Sequence, residues 1–443
     1  MTADIYIIYT DQMRLSSVDS PLVHTPNIDR IKKLGTTYTN AYSSSPVCMC
    51  ARMDFLTGRS AKYHGYWENA NHPAAQKIES FASMLSSKGY RTISVGKMHH
   101  YPPTEKHGWD ELNLMEEIPE DLKSDEYLQF LVENGKGDIL SPHGVRSLLY
   151  HSPQEYPLAQ KFHGSEWVTQ KSIEKLDAHG DKPVCMMSSY IDPHPPWTLP
   201  RKYLDMYKDA PLPDTLKAPE LQEYSPLAES DLRAVQEAYY AACTFVDEQI
   251  GHLLDYLESS GRLENSYLIF TTDHGEMLGD RNYFQKFCAY EPSSHIPLII
   301  AGKGFKANDS CDTPVTSWDL TSTLLSMGNV EVPDEFIGTS LLDKLESDRI
   351  ICFHHGGDPL GPAPHDRYVA ALGEGYKYIH SYHSGGVDEL YDLNRDPAEL
   401  HNLAEHNPAI MNELKNAALE FESQHGKAEL VENADFVNYS SPP

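Results

Sequence analysis

The chain has 443 residues, 40% of them hydrophobic and 23% charged, the composition of a globular protein built as one large domain and a smaller one. A formal net charge of −29 speaks against nucleic acid and anionic membranes as partners, because both require a basic face. No apolar run reaches the length of a membrane span, and seven cysteines scattered along so long a chain do not make a disulfide framework.

The sequence opens "MTADIYIIYTDQ", with no basic region, long apolar core or small-residue cleavage site, so a cytoplasmic location is expected. Within it, "IYIIYT" (5–10) reads as a buried strand. "TPNIDRIKKLG" (25–35) reads as a helix, with Thr25 as N-cap, Pro26 in the first turn and Gly35 at the end. "SSSPVCMCARMDFLTGRSAKYHG" (43–65) sets Cys48 and Cys50 one residue apart, ahead of Arg52. From the residues alone these cysteines are a redox pair, two metal ligands or core filler. "IESFASMLSSKGY" is a helix, "RTISVG" a strand and "KPVCMMSSYI" another strand. Residues 101–181 are less regular and rich in Pro, His and acidic side chains, as expected of a large insertion over one sheet edge. Residues 229–259 have long helical spacing; "SYLIFTT" and "IPLIIAG" are strands and "WDLTSTLLSMG" is a helix.

This alternation predicts an α/β fold with a large, mostly parallel sheet sandwiched by helices. Beyond it, "YVAALGEGYKYIHSY" reads as a hairpin, "ELYDL" as a strand and "PAIMNELKNAALEFESQHG" as a terminal helix, together a smaller antiparallel sheet plus helix. The expected division is a catalytic α/β domain over 1–335 and an α+β subdomain over 336–443. The tail "NADFVNYSSPP" (433–443) reads as a segment able to dock on a neighbouring molecule.

Polar groups stand just after the strands. Asp11 and Gln12 follow the first, Lys97, His99 and His100 the next, His194 the third, and Asp273, His274 and Glu276 the fourth. In an open parallel sheet, ligands bind outside the carboxyl ends of the strands. One Asp after a strand is ordinarily a turn former and one His a surface residue, but four such ends aimed at one crevice exceed turn chemistry. Asp11, Gln12, Asp273 and His274 offer hard oxygens and one imidazole, a set suited to a divalent cation such as Ca²⁺, Mg²⁺ or Mn²⁺. Lys97, His99, His194 and Lys286 supply positive charge against the acidic whole. Together they suggest an oxyanion substrate and metal-assisted group transfer. Glu276 and Glu291 read as structural acceptors. Tyr66, Trp67 and Asn69 read either as lining of the pocket mouth or as packing, and "CFHHGGDP" around His354 as a surface loop.

"CMCAR" followed by "MDFLTGR" resembles the signature of the type I sulfatases, in the alkaline phosphatase superfamily. "TPNIDRIKKLGTTYTNAY", "GYRTISVGKMHH", "DPHPPW", "TTDHGEMLGDRNYFQK", "GYKYI" and "ELYDLNRDPAELHNLA" resemble further segments of that family, in the same order over nearly the whole chain. The resemblance implies that Cys48 is oxidised to formylglycine by a maturation enzyme, and that Asp11, Gln12, Cys48, Asp273 and His274 hold one divalent metal ion, Ca²⁺ or Mn²⁺. It also implies that the substrate is a small anionic sulfate ester. On this resemblance the hydrated aldehyde attacks sulfur and Arg52 and Lys97 hold the reacting oxygens. His194 and Lys286 assist the leaving alcohol, and His99 deprotonates the second hydroxyl so that sulfate departs. Cys50 and Ala51 depart from the family's usual Pro and Ser. Gln12 with His274 is similar to the phosphonate monoester hydrolase and choline-sulfatase branches. The alternatives are therefore a phosphonate monoester hydrolase or phosphodiesterase, against which Lys97 and His99 argue, and a non-catalytic metal- and anion-binding protein if Cys48 stays a thiol.

Overall fold

The computed structural model describes residues 2–69, 78–139, 141–150, 152–178, 180, 182–216, 229–357, 367–383 and 385–437. Its largest element is an eight-stranded mixed sheet. In chain order the strands are β1 (Asp4–Asp11), β2 (Gly35–Tyr38), β3 (Arg91–Gly96), β4 (Glu111–Leu114), β5 (Val184–Pro193), β6 (Ser266–Thr272), β7 (Leu298–Ala301) and β8 (Asp309–Cys311). They lie in the order β8-β2-β7-β6-β1-β5-β3-β4. Every pairing from β6 to β4 is parallel, whereas β7 runs antiparallel to both β2 and β6.

β1 reads as a continuous apolar run because helices cover both of its faces. Tyr6 and Ile8 enter one core with Trp167, Val246 and Leu254. Ile5, Ile7 and Tyr9 enter the other with Met53, Phe81 and Leu324. The covering helices are α1 (Pro26–Leu34), α2 (Cys48–Thr57), α3 (Phe81–Ser87), α4 (Glu126–Glu133), α5 (Gly164–Asp177), α6 (Glu229–Ser259) and α7 (Ser317–Met327). No helix among the described residues is long and apolar enough to cross a membrane.

The start of α1 differs from expectation. Thr25 makes no side-chain cap bond. Asp247 of α6 accepts from the backbone N–H groups of Asn27 and Ile28 instead, at 3.1 and 2.8 Å. A tertiary carboxylate satisfies these orphan donors and adds charge complementary to the helix dipole.

Residues 101–181 also do more than cover an edge. They supply β4, which pairs with β3 as the outermost strand, and α5, whose Trp167 and Val168 pack into the core. "ELNL" is too short to register as a strand by pattern. At the start of α4, Asp125 accepts from the backbone N–H groups of Leu128 and Glu116, at 2.8 and 2.7 Å. Burial nevertheless pushes its carboxyl up to about 7. A raised folded value means that the protonated group favours folding fully below the unfolded value of about 3.9, and that this contribution is lost as pH rises through 7. Asp125→Asn keeps the cap to Leu128, gives up the acceptor for the Glu116 N–H at a cost that does not depend on pH, and removes the titration. Urea unfolding should show the variant gaining on the wild type by up to about 1.4 kcal/mol per pH unit between pH 4 and 7. A pH-independent difference would contradict this.

The C-terminal sheet comprises β9 (Ile351–His355), β10 (Tyr368–Gly373), β11 (Tyr376–Ser381) and β12 (Val387–Asp392), antiparallel in sequence order. Phe353, Ala370 and Ile379 pack on Tyr42 and Tyr290 of the larger part. Val369, Ala371, Tyr378 and Leu390 pack on α8 (Pro408–His425) through Leu414 and Ala418. His354, expected in a surface loop, is instead buried on β9, with Nδ1 3.1 Å from the Glu422 carboxylate. The Gly-Gly-Asp-Pro run after it suggested a loop, but the helix covers the strand first. The end of that run and the last six residues of the tail lie outside the described residues.

Candidate active site

The site is assembled at the ends of β1, β3, β5 and β6 and at the start of α2. β1 ends on Asp11, and the chain turns at Gln12 with a φ of 64°. Gly96 closes β3 with a φ of 103°, and a Cβ there would lie 1.9 Å from the Ser189 carbonyl oxygen. Only glycine allows this approach of β3 to β5 before Lys97 and His99. His194 follows β5, Asp273 and His274 follow β6, and Cys48 is the first residue of α2.

Asp11, Cys48, Asp273 and His274 each offer one ligand atom, all within 4.8 Å of one another and all buried. Cys48 Sγ lies 3.1 Å from His274 Nε2 and 3.9 Å from an Asp11 oxygen. His274 Nδ1 faces the Gly275 carbonyl at 2.9 Å, so Nε2 is the nitrogen turned to the cluster. Burial lowers the His274 imidazole below its ordinary value although Asp273 opposes this, which favours the neutral ligand form. Two carboxylates, an imidazole and the Cys48 position fit one divalent cation.

Gln12, next to Asp11, is held by its side-chain amide. Its Nε2 donates to the Tyr150 hydroxyl at 2.6 Å and also to Glu276, and its Oε1 accepts from Lys286 Nζ at 2.7 Å. The amide oxygen therefore faces the cations of the site. Glu276 accepts in addition from the N–H groups of Leu278 and Gln285, at 2.8 and 2.7 Å, as its structural reading anticipated.

Arg52 lies one turn after Cys48 on α2. Its Nε donates to Asp273 and one terminal nitrogen to Asp11, both at 2.9 Å. The other terminal nitrogen donates to the Lys97 carbonyl at 2.8 Å and to Ser189 at 3.0 Å. The guanidinium thus holds the two acidic ligands side by side. Lys97 Nζ stands 2.7 Å from Asp11 and 2.7 Å from Glu117. Burial alone would raise the Asp11 carboxyl, but Lys97, His194 and Arg52 beside it hold it well below the usual carboxylate range.

His194 Nδ1 meets the Pro195 carbonyl at 2.5 Å, and Nε2 lies 3.1 Å from Lys286 Nζ. Donation from Nδ1 leaves Nε2 to accept from the ammonium. His99 is largely buried; burial, then Lys97, drives its imidazole well below its ordinary value, and Nδ1 has no hydrogen-bond partner among the described residues. The Tyr66 hydroxyl donates to the Tyr101 carbonyl at 2.8 Å, and Asn69 accepts from the Met49 N–H at 3.0 Å. Trp67 packs edge-on against His354 with Lys427 over its ring. Cys50 points away from Cys48, into a small cluster with Val47 and Phe287, and neither is in a disulfide.

Sequence reading missed Glu117, Arg146, Tyr150 and Ser189. Glu117 stands just after β4, where the strand-end rule would have found it had "ELNL" been recognised as a strand. Arg146 and Tyr150 arrive from the irregular segment and carried no local signal.

The Sulfatase family model matches residues 4–330, and that of the N-sulphoglucosamine sulphohydrolase C-terminal region matches 279–424. An arylsulfatase of Clostridium perfringens is 29% identical over 439 residues, covering 91% of this chain and 90% of that protein. A choline-sulfatase of Rhizobium meliloti is 29% identical over 435 residues, covering 91% of this chain and 82% of that protein. The crystal structure of phosphonate monoester hydrolase from Agrobacterium radiobacter shares the fold with a TM-score of 0.77 at 22% identity, covering 97% of this chain and 98% of that one. The chain belongs to the sulfatase family of enzymes.

Proposed function

We propose that this enzyme hydrolyses a small sulfate monoester to an alcohol and inorganic sulfate, with Cys48 matured to formylglycine. The observation that carries this reading is the meeting of Cys48 with Asp11, Asp273 and His274 at the strand ends, flanked by Lys97 and the Lys286–His194 pair. Asp11, Gln12, Asp273 and His274 would hold one cation, Ca²⁺ or Mn²⁺. When bound, that ion supplies Lewis acidity to the hydrated aldehyde and the ester oxygens. Lys97 directs two of its three N–H groups to Asp11 and Glu117 and keeps one for a sulfate oxygen. Lys286 and His194 share a hydrogen bond from which a proton can pass to the departing alcohol oxygen. His99, held neutral, can take the proton whose removal frees sulfate. Arg52 keeps Asp11 and Asp273 in place throughout.

The test is turnover of nitrophenyl sulfate against a nitrophenyl phosphonate monoester, using protein co-expressed with a formylglycine-generating enzyme and loaded with Ca²⁺ or Mn²⁺. Faster sulfate cleavage is expected. Faster phosphonate cleavage would reverse the assignment, and inactivity towards both with formylglycine present would end it.

A further inference from the structure

Besides Asp11 and Asp273, a third carboxylate, Glu117, meets the cations of the proposed sulfate site. The Glu117 side chain is 5% exposed, with Oε2 2.7 Å from Lys97 Nζ. Its Oε1 pairs with Arg146 and lies 3.6 Å from His194 Nδ1. A buried carboxylate next to the place of an anionic ligand works against binding. Neither cation requires it: Lys97 already has Asp11, and the Arg146 side chain is 44% exposed and open to water.

We propose that Glu117 is a specificity-determining residue that selects ligands by charge, admitting a singly charged tetrahedral ester and disfavouring a doubly charged one. The proposal rests on the sulfate-ester reading of the site. Arg52, Lys97, Lys286 and Arg146 meet Asp11, Asp273 and Glu117 here, and removing Glu117 raises the positive charge around the ligand by one unit. A sulfate monoester carries one negative charge near neutrality, whereas a phosphate monoester carries close to two. With one side chain between carboxylate and ligand, the second charge is disfavoured by roughly tenfold to a hundredfold.

The experiment compares nitrophenyl sulfate with nitrophenyl phosphate in the metal-loaded, matured wild type, Glu117→Gln and Glu117→Asp. Glu117→Gln should raise the phosphate-to-sulfate ratio of kcat/KM by about tenfold or more, and Glu117→Asp should keep the wild-type ratio. Rates that fall together at an unchanged ratio overturn the proposal, since a purely structural residue would give that result. If the glutamine variant does not fold, calorimetric binding to the wild type decides. Inorganic phosphate should lose affinity relative to methanesulfonate as pH rises from about 6 to about 8, where only phosphate gains charge; a constant ratio overturns the proposal. A wild type that does not cleave nitrophenyl sulfate refutes the sulfatase reading instead, and the binding ratio in the wild type against Glu117→Gln still decides the role of Glu117.

Discussion

Cys48→Ser is expected to lower steady-state turnover of an aryl sulfate by at least about a thousandfold, with folding intact. The substitution is nearly isosteric at a buried helix start, and it leaves the carboxylates and imidazole around it unchanged. The loss has a chemical cause. A hydrated aldehyde can release its sulfate by breaking a C–O bond and reforming the carbonyl, because its second hydroxyl can lose a proton. A serine ester has no second hydroxyl, so sulfate leaves only if water attacks sulfur. Any residual reaction of the variant should therefore stop after one turnover and leave a sulfo group on the peptide spanning residue 48, visible by mass spectrometry. The wild-type peptide should show the thiol replaced by a carbonyl. Full activity in Cys48→Ala, or an intact thiol in fully active wild type, would remove formylglycine from the mechanism.

Cys48 is singled out only by the resemblance of "CMCAR" and "LTGR" to the sulfatase signature, whereas Arg52 is placed beside it by spacing, one helical turn away on α2. Asp11, Lys97, His194 and Asp273 were legible for a different reason. The strands before them are buried on both faces, so each reads as a continuous apolar run with a sharp polar end. Where a strand is short and at the edge, the same logic had nothing to grip. β4 has four residues, and Glu117 beyond it went unseen. Tyr150 was invisible for a further reason, since its hydroxyl reaches Gln12 across 138 positions of chain, and no local pattern encodes that contact. The partners of Arg52 follow the same rule. Spacing placed it beside Cys48, but that its donors go to Asp11 and Asp273 is a property of three separate elements.

Arg52→Ala should destabilise the fold more than Cys48→Ser or either Glu117 substitution. Asp11 and Asp273 are fully buried, and one oxygen of each lies 2.9 Å from the guanidinium. Removing it takes the guanidinium from both carboxylates and leaves Asp11 with Lys97 and His194, and breaking such a buried arrangement costs about 3–5 kcal/mol. Arg52→Lys should recover part of this, since one ammonium restores charge but cannot bridge both carboxylates with a planar fork. The deficit should also depend on pH with a defined sign. Arg52 is among the groups that hold the Asp11 carboxyl below its ordinary range, so its contribution is present above the unfolded value of about 3.9 and is lost as pH falls through and below it. Urea unfolding in chelator should therefore show the full loss at neutral pH and a narrowing gap in acid. A divalent cation should return stability to the variant by supplying the missing positive charge between the same two carboxylates. A neutral-pH loss below about 1 kcal/mol in chelator would mean that the two aspartates do not rely on the arginine, and that the cation site is held by the strand ends alone.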